Sequence, residues 1–101
     1  MAEVTYKPVV YKNRQNPDGS FDVKIRVTFK RKSTYMSTTE TALEEDLDAN
    51  MEIKSPELLV KLYNLIIEFK KIVSTLDQFV VDTMEVGEIV DFIKKTKASS
   101  V

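Results

Sequence analysis

Lys24, Arg26, Thr28 and Lys30 fall at alternate positions of one stretch, "DVKIRVTFKRK", and Arg31 and Lys32 follow directly. Side chains two apart on a strand share a face and stand about 6.6 Å from each other. That interval is close to the phosphate spacing along one strand of nucleic acid, so such a face can track a backbone. A β-ribbon or small sheet also fits the major groove of B-DNA. Arg26, central in the stretch, has the fork that reads guanine O6 and N7 together. Arg31 and Lys32 would reach phosphates at the groove edge. Thr34, Tyr35, Ser37 and Thr39 would add hydroxyl contacts to phosphate or base. The same pattern describes the solvated, lysine-rich face of an ordinary amphipathic strand. The residues by themselves leave both readings open.

Other chemistries are short of parts. The chain has no Cys and no His. That removes disulfides, thiolate metal sites, the usual neutral-pH proton shuttle and any Ser-His-Asp arrangement. Gly19 and Gly87 are isolated and cannot form a phosphate-cradling loop. Glu44, Glu45, Asp46 and Asp48 cluster, but their spacing is not that of a calcium loop and no Gly marks a bend. They read as a solvated acidic turn. No enzyme active site, cofactor, metal or small-molecule substrate is expected. No signal peptide, membrane-length apolar run or glycosylation sequon is visible, so the expected setting is cytoplasmic, with no membrane partner.

The net charge of −1 conceals an asymmetry. Residues 1–34 hold eight basic and three acidic residues, a net of +5, which leaves −6 for residues 35–101. Two surfaces with different partners are implied.

The elements that must position these residues follow from periodicity. Phe21, Val23, Ile25, Val27 and Phe29 alternate with the polar set, so Phe21–Lys30 reads as a half-buried strand. "NPDGS" before it is a turn: Pro presets φ, Asp bonds its own backbone and Gly tolerates positive φ. Val4–Arg14 reads as a first strand, placed at an edge by Pro8. After a short "KRKS" connection, Thr34–Thr39 reads as a third. Phe21 and Phe29 fall on the core side, so the stacking platform of an RRM-type single-strand binder is missing.

One apolar sheet face needs a cover. Ser55, Pro56 and Glu57 make a helix start, and Leu58, Leu62, Leu65, Ile66, Phe69, Ile72, Val73 and Leu76 recur at helical spacing over 56–76. A helical turn is expected over 43–49. A second helix is expected in "DTMEVGEIVDFIKKTK", capped by Asp82 with Glu85 in a capping-box position. Its stripe of Val86, Ile89, Val90 and Ile93 could dock elsewhere than the sheet, and "KASSV" reads as a loose tail. The expected fold is α+β: a three-stranded antiparallel β-sheet with a long helix packed on one face and a second C-terminal helix.

The order of parts is also distinctive. The run "VVYKNRQNPDGSFDVKIRVTFKRKSTYMSTT", then an acidic segment ending "DLD", then two helices, resembles the N-terminal arm-type DNA-binding domain of tyrosine recombinases. It is most similar to integrases of Bacteroides conjugative transposons and related elements. The features that carry the resemblance are Tyr11 and Lys12, the Asp18-Gly19 turn, "IRVTF" with its Arg26, the basic hairpin and the Ser/Thr-rich third strand. The sequence departs from the family pattern at Thr39, where a Gly is common, and at Leu47-Asp48, where Trp-Asp is common.

The resemblance implies a non-catalytic double-stranded DNA-binding module that docks its open sheet face in the major groove of arm-type sites during DNA integration and recombination. It implies Lys24, Arg26, Thr28 and Lys30 on the groove face, with Tyr35 beside them and Lys12, Arg14, Arg31 and Lys32 on phosphates. It also implies catalytic domains outside this segment and other recombinase protomers as partners in the full-length protein. Residues 1–82 would then be the arm-type domain and 83–101 a helix and tail leading towards a core-binding domain. The alternative, from a different class, is a protein-interaction module that pairs through a strand edge or the second helix.

Overall fold

The structure, a computed structural model, describes residues 3–99. Three antiparallel strands form one sheet in the order β1 (Thr5–Gln15), β2 (Phe21–Phe29), β3 (Lys32–Ala42). A single 3-10 turn, Glu44–Asp46, leads to the helices α1 (Pro56–Val73), α2 (Gln78–Thr83) and α3 (Val86–Ser99).

The alternation in β2 sets the layers. Val23, Ile25, Val27 and Phe29 are fully or almost fully buried. Tyr6, Pro8 and Val10 of β1 pair with Val27, Ile25 and Val23, while Thr34 and Met36 of β3 pair with Val27 and Ile25. These residues therefore share the covered face. Helix α1 packs along β1, and α3 packs across β2 and β3 and against α1. Leu58, Leu62, Ile66 and Phe69 of α1 meet Val86, Ile89, Val90 and Ile93 of α3 in one buried cluster with the sheet. Burial of each large aliphatic side chain stabilises the fold by about 1.5–3 kcal/mol before conformational entropy is counted. Tyr6 lies against Phe69 with ring centroids 6.4 Å apart, and burial pushes its phenol up to about 12.

The α+β architecture is the expected one, with three changes in the helical half. Helix α1 stops at Val73 rather than 76, with the Ser74 amide bonding back to Lys70 O. The expected second helix is α3, which starts at Val86 rather than after Asp82 because Met84 is extended (φ −87°, ψ 153°), and an unexpected short helix, α2, precedes it. Asp82 therefore lies inside α2, where its carboxylate accepts from Gln78 Nε2 at 2.8 Å, and it caps nothing. The cap of α2 is Asp77, whose side chain accepts from the Phe79 amide. Before α3, the Glu88 carboxylate reaches back to the Glu85 amide at 3.0 Å. The expected loose tail from Lys97 is helical through Ser99, and residues 100–101 lie outside the described residues.

Helix α3 also belongs to the core. Ile89 and Ile93 are wholly buried. The stripe has no freedom to dock elsewhere, and the boundary expected at residue 82 falls inside one continuous core. Among the described residues, no helix is long and apolar enough to cross a membrane.

Candidate nucleic-acid interface

The helices cover one face of the sheet, and the other is open. Pairing register decides which side chains meet there. Arg26 stands between Lys7 of β1 and Tyr35 of β3, Lys24 between Val9 and Ser37, and Thr28 between Thr5 and Ser33. Arg26 and Tyr35 are both exposed. Arg26 Nε donates to Ser33 Oγ at 3.4 Å, and Ser33 Oγ lies 2.8 Å from Thr28 Oγ1. These contacts hold the guanidinium over the middle of the sheet, and its terminal nitrogens meet no protein acceptor among the described residues.

Lys24 is placed by a cation–π contact, with Nζ 4.4 Å from the centre of the Tyr11 ring. Tyr11, Lys24 and Tyr35 line a shallow groove of about 310 Å³ on this face. Asp22 is the acidic residue of the open row of β2. It lies at the strand's end opposite Thr41, where its carboxylate accepts from Asn16 Nδ2 at 3.0 Å. The centre of the face therefore carries Lys7, Lys24 and Arg26 among hydroxyl groups, with no carboxylate between them.

The turn "NPDGS" fixes how β2 enters the sheet. Gly19 has φ +90°, a conformation that suits glycine. Asp18 Oδ1 accepts from the Ser20 hydroxyl at 2.6 Å and the Ser20 amide at 2.9 Å. These two bonds, side chain first, hold the Asp18 carboxyl below its ordinary pKa. Asn16 Nδ2 bonds the buried Ser20 hydroxyl at 3.1 Å. At the same end of β2, an irregularity falls between the Asp22 and Lys24 pairings with β3. Thr38 Oγ1 bridges it, donating to Val23 O at 2.6 Å and accepting from the Glu40 amide.

Not every expected site residue joins this face. Lys30 is in the turn rather than on the strand. Phe29 pairs with Lys32, so Lys30 and Arg31 form a two-residue hairpin loop with φ of 52° and 65°. The positive φ turns Lys30 away from the open face, and its ammonium bonds the Asp82 carbonyl of α2. Lys32 lies on the covered side of the alternation and pairs with Glu85 at 3.8 Å. Lys12 lines the groove with Tyr11, Lys24 and Tyr35 and donates to Asn50 O, in the loop before α1, at 3.3 Å. Thr34 pairs with Val27 and is half-buried on the core side. Arg14 lies in the arch of β1 between Val10 and Gln15, where pairing with β2 is interrupted, and is exposed. Arg31 is exposed at the hairpin tip. Lys24, Arg26, Thr28 and Tyr35 are thus brought together, with Lys12 at the groove's margin, and Lys30 and Lys32 are drawn to the other layer.

Lys7 and Tyr11 complete the face and were not expected there. The parity of β1 points to Lys7, since Pro8 and Val10 face the core. The β1 arch, which is invisible in the sequence, hides its register with β2.

The acidic segment behaves as a turn. Asp48 Oδ1 accepts from the Asn50 and Glu52 amides, and Asp46 Oδ2 from the Leu43 amide. No group of three or more metal-capable side chains occurs among the described residues. Comparison with protein-family models, curated proteins and solved structures finds no match to this chain.

Proposed function

We propose that this chain is a non-catalytic double-stranded DNA-binding module that lays its open sheet face in the major groove, in the manner of the arm-type domain of a tyrosine recombinase. The observation that carries the reading is the row Lys7–Arg26–Tyr35 crossing the three strands beside Lys24, with no carboxylate among them. A cationic face without internal ion pairs gains from releasing DNA counterions and loses none of its own partners. Arg26 reads a base, Lys7 and Lys24 hold phosphates, and Thr28, Ser33 and Ser37 add hydroxyl contacts. Arg31, at the hairpin tip, reaches a phosphate at the groove edge. In this reading arm-type sites are the target, other recombinase protomers are further partners, and integration is carried out by catalytic domains outside this segment.

Fluorescence anisotropy with duplexes of differing sequence tests the assignment. Arg26→Ala is expected to weaken the preferred duplex by about 1–3 kcal/mol and to relax sequence preference. Lys7→Ala or Lys24→Ala is expected to weaken all duplexes alike and to lower the salt slope by about one. Equal affinity of Arg26→Ala and the parent chain would remove Arg26 from the groove. The exposed rings of Tyr11 and Tyr35 favour a second reading, in which unpaired bases stack on this face. Tighter binding to a single strand than to its duplex would select it.

A further inference from the structure

One outer side of α1, beside the β1 edge where Tyr63 lines a groove with Lys7, Pro8 and Val9, carries Val60, Tyr63 and Ile67, which are 58%, 52% and 50% exposed. Their spacing of three and then four is that of a coiled-coil seam, on a helix of 18 residues, about 27 Å long. The charges on one flank are drawn off from it: Lys61 pairs with Glu40 at 3.8 Å and Glu68 with Lys97 at 3.4 Å. A bare apolar line on the outer face of a helix has no use in the fold of one chain.

We infer that this line is a self-association seam for a second copy of the chain, paired antiparallel about a two-fold axis near Asn64. The sequence is self-complementary in that register. Tyr63 meets the partner copy's Ile67 and Ile67 meets its Tyr63, with Val60 at each end of the seam. Along one flank at successive heptad positions lie Glu57, Asn64 and Lys71. Around a two-fold axis the same flank meets itself reversed. Glu57 then faces Lys71 of the other copy twice, and Asn64 faces Asn64. Three apolar residues per copy fall short of the roughly 800 Å² per partner of a standard stable interface, so the dimer is weak and concentration-dependent. The inference stands on α1 alone and does not depend on the nucleic-acid reading.

Sedimentation velocity of the full chain, without DNA and over a wide concentration range, tests it. A monomer–dimer equilibrium is expected. Tyr63→Glu and Ile67→Lys are each expected to weaken it roughly tenfold or more, with an unchanged circular-dichroism spectrum. Glu57→Lys and Lys71→Glu are each expected to weaken it, and the double swap to restore it. Because the chain has no native cysteine, Asn64→Cys reports the axis directly. Mild oxidation should link it to its own copy and should leave Asp91→Cys, on α3, unlinked. A chain that stays monomeric at every concentration overturns the inference. So does a dimer indifferent to both seam variants, or a double swap that restores nothing.

Discussion

Arg26 and Asp18 show how single residues set this surface. Arg26 has its Nε on Ser33 while its other nitrogens face solvent, so it is oriented before any ligand arrives. Such preorganisation lowers the entropy cost of a bidentate contact. Arg26→Lys keeps the charge and loses the fork, and is expected to retain non-specific DNA binding while losing sequence preference. A competition assay against mixed-sequence DNA checks this. Asp18 acts on the fold instead. Its carboxyl is held below the ordinary value by the Ser20 hydroxyl and amide. A depressed folded-state pKa contributes stability that is present above the unfolded value near 4 and is lost as pH falls through the folded value. Asp18→Asn is therefore expected to flatten the acid limb of the stability–pH curve, measured by urea unfolding. A limb unchanged by the substitution would remove the turn as its cause.

At the scale of elements, the β2–β3 hairpin carries a conflict. Its two-residue loop needs positive φ at both positions, which Asn-Gly supplies readily and Lys30-Arg31 does not. Left-handed backbone costs a non-glycine residue about 1–2 kcal/mol. Arg31→Gly is expected to raise thermal stability by about 1 kcal/mol while lowering DNA affinity, because strain and a phosphate contact leave together. A gain in stability with unchanged affinity would take Arg31 off the DNA. This loop also shows what was legible in the sequence. The period of two in β2 sorted Val23, Ile25, Val27 and Phe29 from Lys24, Arg26 and Thr28 correctly. It could not show where alternation ends, since Lys30 continues the pattern by one position while the backbone has already turned. The second helix is present as α3, with its stripe of Val86, Ile89, Val90 and Ile93 buried as expected. The sequence places its start too early, at Asp82, because an extended Met84 leaves no mark that composition can reveal. Asp77 before α2 is a capping residue of the same type as Ser55, so that start was readable in principle. Lys7 and Tyr11 were both readable by parity, since each lies on the side of β1 opposite Pro8 and Val10; the contact of Tyr11 with Lys24 was not, because it depends on how the strands pair.

For the whole molecule, the sheet is a two-sided object with different tasks on each side. Two helices close one side, and α3 is as necessary as α1: Ile93 is wholly buried and α3 spans β2 and β3. Ile93→Ala is expected to cost about 2–5 kcal/mol, as for other large-to-small changes in a packed core. Substitution of the exposed Val80 should change stability by less than about 0.5 kcal/mol. Denaturant midpoints compare them, and a neutral Ile93→Ala would mean that residues 86–99 form a separate unit. Lys30 and Lys32 bind across to the helical layer through Asp82 and Glu85, and Lys12 reaches the loop before α1 through Asn50. They tie the layers together at the sheet's margins, while the centre of the open face keeps its cations available. The central claim is that this open face meets duplex DNA. The most direct measurement is an amide NMR titration of the chain with a short arm-site-like duplex at low and at moderate salt. Shifts centred on Lys7, Lys24, Arg26, Thr28 and residues 33–37, weakening as salt rises, are expected. No shifts at low salt, or shifts confined to the helical layer, would contradict it.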